Sequence, residues 1–474
     1  MIFQRFYDET LAQASYLIGC AATGEAIVVD PNRDAAQYVR AAEAEGLRIT
    51  HVTETHIHAD FLSGTRELAQ LTGAVIHLSD EGGPGWRYGF AGQGGAVLLH
   101  DGDHLMVGNI RFDVLHTPGH TPEHLAFLVT DTAGATGPMG IVSGDFVFVG
   151  DVGRPDLLEK AARVAGSADA AARTLWGSLE KFRALPDHLQ VWPGHGAGSA
   201  CGKGLSAVPQ STVGYEKRFN WAFGARTEEE FVAQVLADQP EPPKYFAQMK
   251  RLNRDGPPIL GGLRLPPRLA PAVLPGLLEE GATVVDARPS AAFAERHVPG
   301  TFHIPLDRSF TTWAGWLLSY DRPFYLLVSG ESMARLEEAL RDLALIGLDG
   351  AAGWFGEDAV AAWGAAGRPD GHTALIGPGE LAERRARGEV AVLDVRGQAE
   401  WNAGRLPGAE HIPLGYLLDE LDRVPAGRPI VVYCQSGSRS LIAASLLEAR
   451  GRAAVLNLNG GVVAWEEAGL PIER

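Results

Sequence analysis

Short apolar segments alternate with amphipathic segments along the whole chain. Near the N-terminus the apolar run AIVVDP stops at Pro31, and the amphipathic stretch AAQYVRAAEAEG that follows predicts a helix ending at Gly46. Further along, the runs HLMV, IRFDVLHT, LAFLVT and IVSGDFVFV follow one another closely, which predicts successive strands. This mixture predicts a layered α/β domain with polar loops at the ends of its strands.

The C-terminal part contains an internal repeat. The segments VVDARPSAAFAERHVPGTFHIPL and VLDVRGQAEWNAGRLPGAEHIPL align without a gap, with Asp286 matching Asp394 and His303 matching His411 at a common offset of 108 residues. Each copy alternates short apolar runs with amphipathic helices, which predicts two domains of βαβ units with parallel sheets.

These patterns divide the chain into four segments. A Gly- and Pro-rich stretch, GPPILGGLRLPPRLAP, favours neither a helix nor a central strand and indicates a linker. We expect an N-terminal domain over residues 1–250, a linker over 251–271, and repeat domains over 272–371 and 372–474.

Charge and cysteine content restrict the partners and the compartment. The 474 residues include 41 Lys and Arg against 58 Asp and Glu, a net charge of −17, which argues against a nucleic-acid partner. Three scattered cysteines favour a reducing compartment, and neither a signal peptide nor an apolar run long enough for a membrane span is predicted. We therefore expect a cytoplasmic protein without a membrane partner.

Four groups of histidine and aspartate follow predicted strands. They supply His56, His58 and Asp60 in THIHADF, then His116, His120 and His124 in HTPGHTPEH, Asp145 in SGDFVFVG, and His195 in VWPGHG. Imidazole and carboxylate suit zinc or iron(II). A single histidine is more often a structural polar residue, but four such groups at strand ends together predict one metal site.

These motifs resemble those of the metallo-β-lactamase superfamily, over residues 1 to about 250. The resemblance implies an αββα sandwich, and the branch of the superfamily that it most resembles is the persulfide dioxygenases. That branch implies one Fe(II) per chain, held by His56, His120 and Asp145. Phe61 stands where the zinc hydrolases of glyoxalase II type have a second metal-binding histidine, and phenylalanine cannot ligate.

Two imidazoles and one carboxylate leave open positions, as an oxygen-activating ferrous site requires. His58, Asp60 and His195 are then expected either to orient ligands and hold water or to make structural hydrogen bonds only.

Other residues near these motifs are candidates for binding substrate. Arg154 matches an arginine near the iron in the dioxygenases and is predicted to pair with a carboxylate of the thiol carrier. Lys203 and Tyr215 are further substrate-binding candidates, with solvated surface residues as the alternative. Cys201 is interpreted either as a sulfur acceptor or as a small buried thiol.

The last repeat places a cysteine between a strand and a helix, in VVYCQSGSRS. There Cys434 faces the unpaired N–H groups and the positive dipole end of the helix, which stabilise a thiolate, and Arg439 adds positive charge. From about residue 259 to the end the chain resembles rhodanese, a parallel-sheet α/β sulfurtransferase. The resemblance implies a persulfide on Cys434, surrounded by a loop made of Gln435, Ser436, Gly437, Ser438 and Ser440. The first copy has Ser329 after its strand and no cysteine, so we expect it to be inactive.

Together these features predict a persulfide dioxygenase joined to a sulfurtransferase. The substrates would be a thiol persulfide of glutathione or coenzyme A type, O2 and sulfite, and the products sulfite and thiosulfate. Two alternatives stay open: a zinc thioester hydrolase of glyoxalase II type, and a sulfur-carrier module in which only Cys434 works. A homo-oligomer is compatible with each of these three interpretations.

Overall fold

The computed structural model of the chain describes residues 1–92, 95–157, 159, 166–239 and 241–474. These residues form two compact units. The first comprises Met1–Leu263 with Ala344–Gly347, and the second Arg264–Leu343 with Leu348–Arg474. Among the described residues, no helix combines the length and apolar character needed to cross a membrane.

Two six-stranded sheets form the centre of the first unit, as far as its residues are described. The first sheet has the order β1-β2-β3-β4-β5-β6, with β1 (Ile2–Asp8), β2 (Gln13–Cys20), β3 (Glu25–Val29), β4 (Arg48–Thr53), β5 (Val75–Ser79) and β6 (Val97–Leu99). The second has the order β12-β11-β10-β9-β8-β7, with β7 (His104–Val107), β8 (Ile110–His116), β9 (Leu125–Asp131), β10 (Gly140–Gly144), β11 (Gln190–Pro193) and β12 (Ser211–Thr212). The helices are α1 (Ala35–Ala44), α2 (Thr65–Thr72), α3 (Ser167–Arg183), α4 (Val213–Phe219), α5 (Glu228–Leu236) and α6 (Tyr245–Asp255).

The side-chain alternation along the strands builds an αββα sandwich. Ile18 of β2 packs with Phe127 of β9 in the apolar core between the two sheets. Its neighbour Leu17 points the opposite way and packs against α1 and α2. Ile141 of β10 faces outward too, into the core formed with α3 and α5. The predicted αββα fold is therefore confirmed.

The first unit extends past the predicted boundary at residue 250, because α6 spans that position. The Gly- and Pro-rich segment that follows is held by hydrogen bonds. Arg66 donates to the Pro257 carbonyl at 2.7 Å, and the Glu67 carboxylate accepts from the Leu260 and Gly261 N–H groups at 2.8 and 2.9 Å. This segment is thus bound to α2, and residues up to Leu263 belong to the first unit.

The second unit contains two parallel sheets, of four and five strands, that share the same order over four strands. One is β14-β13-β15-β16, from β13 (Thr283–Asp286), β14 (Phe302–His303), β15 (Phe324–Val328) and β16 (Ala351–Gly356). The other is β19-β18-β20-β21-β17, from β17 (Ala374–Ile376), β18 (Ala391–Asp394), β19 (Glu410–His411), β20 (Ile430–Tyr433) and β21 (Val455–Leu458). The helices are α7 (Leu274–Glu279), α8 (Ser290–Glu295), α9 (Phe310–Leu317), α10 (Gly330–Met333), α11 (Leu336–Leu345), α12 (Asp358–Ala365), α13 (Pro378–Ala386), α14 (Gln398–Ala403), α15 (Ser438–Ala449) and α16 (Gly461–Glu467).

The repeated sequence motif builds the same buried ion pair in each sheet. Arg288 donates to both oxygens of Asp286 and, at 2.7 Å, to the Arg296 carbonyl. Arg396 binds both oxygens of Asp394 in the same way. Its Nη2 donates to the carbonyl of Gly404, the residue directly after helix α14. A bidentate pair buried at the ends of β13 and β18 therefore explains why the motif recurs.

Strand register corrects the residue that we compared with Cys434. Leu327 of β15 pairs with Asp286, and Tyr433 of β20 pairs with Asp394. The counterpart of Cys434 is therefore Val328, not Ser329. Ser329 instead accepts a hydrogen bond from Ser332 N and begins the short helix α10. The offset between the copies is 108 residues at the motif and 106 at β15 and β20, so a gap enters the repeat between the motif and these strands.

A cavity of about 240 Å³ in the second unit is lined in part by His297, Asp370, His372 and Glu448. Glu448 Oε2 accepts a hydrogen bond from Thr373 Oγ1 at 2.8 Å. Burial raises the pKa of Glu448 from 4.5 to about 7. The carboxyl group is thus costly to ionise in the folded protein.

We predict that Glu448→Gln reduces the loss of stability with rising pH. The folded-state pKa is the higher one, so the folded protein binds more protons between pH 4.5 and 7 and its stability falls as pH rises through that window. Glutamine keeps an acceptor for Thr373 and never ionises. The variant should be more stable than the wild type at pH 8, by roughly 1–3 kcal/mol, with the gain shrinking towards pH 4.5.

Thermal unfolding midpoints measured across this pH range test the prediction. Glu467→Gln at an exposed glutamate is the control and should follow the wild-type profile. An unchanged pH dependence in Glu448→Gln would show that this carboxyl group is already ionised in the folded protein.

Candidate metal centre and sulfur-transfer loop

Two parallel strands bring Asp145 and His195 to one edge of the second sheet. β10 and β11 run side by side, Asp145 directly follows β10, and His195 lies just beyond β11. Gly194 makes this approach possible, since a Cβ there would lie 2.6 Å from Asp145 Oδ1. Side chains distant in sequence therefore meet at the carboxyl ends of the strands.

His56, His120 and Asp145 form one buried group. His120 Nε2 lies 3.5 Å from Asp145 Oδ2, and His56 Nε2 lies 4.0 Å from the same oxygen. The ligand atoms of all three lie within 4.8 Å of one another. The structure thus brings together the three residues that the resemblance implies as metal ligands.

Hydrogen bonds at the other ring nitrogens orient both imidazoles. The Thr55 hydroxyl donates to Asp30 at 2.9 Å, so it accepts from His56 Nδ1–H at 3.0 Å. His120 Nδ1–H donates to the Arg154 carbonyl at 3.1 Å. In each ring the proton lies on Nδ1, which leaves the Nε2 lone pair available to a metal.

The electrostatics of the group suit a cation. Neither Asp145 oxygen receives a hydrogen bond of normal geometry from any described residue, although the side chain is buried. Burial lowers the pKa of both His56 and His120, with neighbouring histidines adding to the effect, so these imidazoles are neutral. A buried carboxylate facing neutral imidazole lone pairs needs a positive partner, so these residues fit a divalent metal ion.

His58 faces away from this group, towards Asp30, which the sequence analysis did not single out. Its Nε2 lies 3.1 Å from Asp30 Oδ1. Although burial lowers the pKa of His58, the Asp30 carboxylate raises it overall to about 9. Asp30 also accepts from Thr55 N, so it organises the loop that carries His56. The sequence signal that could have identified Asp30 is its position directly after the apolar run AIVV.

Asp60 and His195 form a second buried pair beside Asp145. His195 Nε2 lies 3.2 Å from Asp60 Oδ2 and 3.5 Å from Asp145 Oδ1, while its Nδ1 binds the Ala12 carbonyl. Phe61 is buried and its ring contacts that of His58 in a tilted arrangement, with ring centroids 4.4 Å apart. Its ring thus packs against the first histidine segment.

Two other histidines of the second motif have different partners. His124 accepts a hydrogen bond from Asp145 N at 3.1 Å and binds Thr117. His116 Nε2 lies 2.8 Å from the Pro122 carbonyl. His124 therefore supports the backbone of Asp145.

Arg154 and Lys203, two of the three predicted substrate-binding residues, bind other residues of the chain. The Arg154 guanidinium is fully buried and binds Asp156 in a bidentate pair, so its placement differs from the predicted contact with a substrate carboxylate. Lys203 Nζ donates to the Gln234 carbonyl at 2.6 Å. Tyr215 is half-exposed on α4. Arg154 contributes to the group of His56, His120 and Asp145 through its backbone carbonyl, which accepts the hydrogen bond from His120.

Cys434 lies in the loop between β20 and α15. Gly437 N donates to its Sγ at 3.2 Å, and Ser440 Oγ lies 3.4 Å from the sulfur. Gly437 adopts φ +99°, which turns its N–H towards the sulfur. The sulfur therefore sits at the N-terminal end of α15, in contact with a backbone donor.

Two residues that sequence reasoning missed support this loop. Asn457 of β21 lies 2.6 Å from Ser440 Oγ through its Oδ1, and its Nδ2 donates to the Gly437 carbonyl. Glu400 binds Arg439 in a bidentate pair at 2.6 and 2.7 Å. Both come from other parts of the repeat, so local sequence around Cys434 carries no signal for them.

The fold and the two sites define the class of protein. Residues 9–195 match the model of the metallo-beta-lactamase superfamily, and residues 377–468 match the rhodanese-like domain. A solved metallo-beta-lactamase of Staphylococcus aureus is 46% identical, with a TM-score of 0.68, and the match covers 75% of this chain and 99% of that one. The chain belongs to the metallo-beta-lactamase superfamily and carries a rhodanese-like domain after the metallo-beta-lactamase domain.

Curated relatives match each part separately. A hydroxyacylglutathione hydrolase of Rhodospirillum rubrum is 32% identical over 185 residues, which are 38% of this chain and 60% of that relative. A sulfurtransferase of Allochromatium vinosum is 40% identical over 93 residues, 19% of this chain and 87% of that relative. The chain thus spans about three fifths of the first relative and most of the second.

We predict that Asp145→Asn loses the metal and stabilises the metal-free protein. The amide removes a buried charge that receives no hydrogen bond of normal geometry from a described residue, so the metal-free form should gain about 1–3 kcal/mol. Metal content per chain and unfolding midpoints with and without a chelator measure both effects.

His116→Gln is the control, because its ring binds the Pro122 carbonyl and lies outside the group of three. It should retain metal like the wild type. Full metal content in Asp145→Asn would rule out this carboxylate as a ligand.

Proposed function

We propose that this protein oxidises the outer sulfur of a low-molecular-weight persulfide with O2 and transfers sulfur to the sulfite produced. In the first reaction a persulfide RSSH, O2 and water give the thiol RSH and sulfurous acid. In the second, sulfite takes the outer sulfur of another persulfide through Cys434 and becomes thiosulfate, and a second thiol is released. The carrier is a thiol of glutathione or coenzyme A type.

The first reaction would use His56, His120 and Asp145 as ligands of one Fe(II). A ferrous ion held by two imidazoles and one carboxylate keeps positions open and supplies electrons for oxygen activation. The chain's own contribution is orientation. Thr55 and the Arg154 carbonyl hold the Nδ1 protons, so both Nε2 atoms face Asp145. Burial of these groups keeps bulk water out.

The second reaction would use the loop around Cys434. The Gly437 N–H and the N-terminus of α15 stabilise negative charge on the sulfur, in both the thiolate and the persulfide. Arg439, paired with Glu400, adds positive charge next to Cys434. This charge favours binding of an anionic acceptor such as sulfite.

One observation supports the proposal above the others. The chain combines two neutral imidazoles and one carboxylate facing a common point with a second domain in which Cys434 lies at the start of a helix and accepts a backbone hydrogen bond. The first site would produce the acceptor that the second site uses.

Thioester hydrolysis is the second candidate function. The relatives named hydroxyacylglutathione hydrolase favour it, as they match the metallo-beta-lactamase domain. Hydrolases of glyoxalase II type have a metal-binding histidine at the position that Phe61 occupies in this chain. This difference argues against thioester hydrolysis. Zinc-dependent cleavage of a glutathione thioester without oxygen uptake would support this candidate instead.

We predict that two single variants separate the two activities. His120→Ala should reduce persulfide-dependent oxygen uptake by at least about 100-fold while sulfur transfer to cyanide persists. Cys434→Ser should lose sulfur transfer to cyanide but keep persulfide-dependent oxygen uptake. It should therefore release sulfite in place of thiosulfate. An oxygen electrode, with product analysis on the iron-loaded protein, measures both.

The variants act as controls for each other, since each should retain the activity of the other site. Thiosulfate as the main product of Cys434→Ser would contradict the coupling. Absent oxygen uptake in the iron-loaded wild type, across glutathione and coenzyme A persulfides, would contradict the dioxygenase activity itself.

A further inference from the structure

The histidine loop, residues 54–64, contains no helix or strand and is largely buried between β4 and α2. Because a buried loop has no hydrogen-bond ladder of its own, its backbone groups need other partners. Side chains from outside the loop provide them. Asp30 accepts from Thr55 N at 2.6 Å, and Glu123 accepts from Ile57 N at 2.8 Å. The position of the loop is therefore set by side chains that bind its backbone.

Asn253 of α6 holds the second half of the histidine loop. Its Nδ2 donates to the carbonyls of His58 and Phe61 at 2.8 and 2.7 Å. Its Oδ1 accepts from Ser63 N at 2.9 Å. The opposite orientation of the amide would place Oδ1 against two carbonyl oxygens, so these contacts fix which atom is the donor. One side chain, only 1% exposed, thus binds three backbone groups of the same loop.

The segment that Asn253 holds is connected to a metal ligand by hydrogen bonds. The ring of His58 binds Asp30 at 3.1 Å. Asp30 accepts from the Thr55 hydroxyl at 2.9 Å, and this hydroxyl accepts from His56 Nδ1–H at 3.0 Å. The backbone position of His58 therefore bears on the orientation of the His56 ring.

Helix α6 lies beyond residues 9–195, the part of the chain that matches the superfamily model. Tyr245, Met249 and Asn253 are spaced four residues apart and are buried, so they share the inner face of this helix. The histidine loop is thus held in part by an element outside the matched region.

We propose that Asn253 is a positioning residue of the metal centre. By binding three backbone groups of the histidine loop, it keeps His58 against Asp30 and keeps His56 Nε2 facing Asp145. It acts through the loop and not on the metal itself. The proposal rests on the metal centre described above and does not require the oxygenase reaction.

The iron affinity of the full-length protein tests this role. Metal-free protein is loaded with Fe²⁺ under anaerobic conditions, and a colorimetric ferrous chelator competes for the ion, which gives the dissociation constant. Asn253→Ala should weaken Fe²⁺ binding by about 10- to 100-fold, because the loop no longer holds the ligand in place before the ion binds.

Asn253→Asp separates the role of the two donors from that of the acceptor. A carboxylate still accepts from Ser63 N but places negative charge against two carbonyl oxygens, whereas a carboxylic acid restores one donor. The Fe²⁺ dissociation constant of this variant, divided by that of the wild type at the same pH, should therefore fall as pH is lowered from about 8 to about 6. The same ratio for Asn253→Ala should not depend on pH.

Ile49→Ala is the control for a loss of stability alone. Ile49 is buried in the core between the first sheet and α1 and lies at the end of β4 far from the histidine loop. The unfolding midpoint of the metal-free variant should fall, while its Fe²⁺ dissociation constant stays that of the wild type. Circular dichroism checks that each metal-free variant has folded.

A wild-type Fe²⁺ dissociation constant in folded Asn253→Ala would overturn the proposal, even if the unfolding midpoint falls, because Asn253 would then stabilise the fold only. Should Asn253→Ala not fold, the ratio for Asn253→Asp decides, and a ratio that does not change with pH would overturn the proposal. Oxygen uptake is measured separately. Its absence in the iron-loaded wild type would contradict the proposed function and leave the affinity result unaffected.

Discussion

A buried carboxylate without an ordinary hydrogen-bond donor is the constraint around which the first unit is arranged. Leaving such a charge uncompensated costs several kcal/mol, so the protein needs a cation at Asp145. The imidazoles near it are neutral because burial lowers the pKa of His56 and His120. They therefore supply lone pairs and not charge, an arrangement that suits a bound cation next to Asp145.

The surrounding structure serves to hold those lone pairs in place. Thr55, the Arg154 carbonyl and the Ala12 carbonyl each bind an Nδ1–H, so that three Nε2 atoms turn towards Asp145. These partners come from separate loops of the sandwich. The sheets must therefore form before the site has its geometry, and metal binding in turn stabilises the fold.

The second unit repeats one fold with two different outcomes. Both copies retain the buried Asp–Arg pair at the ends of β13 and β18, and this pair belongs to the scaffold. Only the second copy has a loop in which backbone N–H groups face a cysteine. In the first copy the corresponding residue is Val328, and a shorter loop starts a helix at once. Fold and chemistry are thus separable within a single chain.

Sequence patterns alone were sufficient for a layered α/β domain, the parallel repeat sheets and the histidine-rich loops, because periodicity and local motifs report on strands, helices and their ends. The αββα arrangement itself was implied only by the resemblance to a known family. The patterns did not reveal Asp30, Asn457 or Glu400, or that a ligand atom of Cys201 lies within 4.8 Å of one on Asp60. They also suggested a substrate contact for Arg154, whose guanidinium is in fact buried against Asp156. Such partners are far apart in sequence and meet only through strand pairing and loop packing, so the tertiary structure alone decides which side chains share a site.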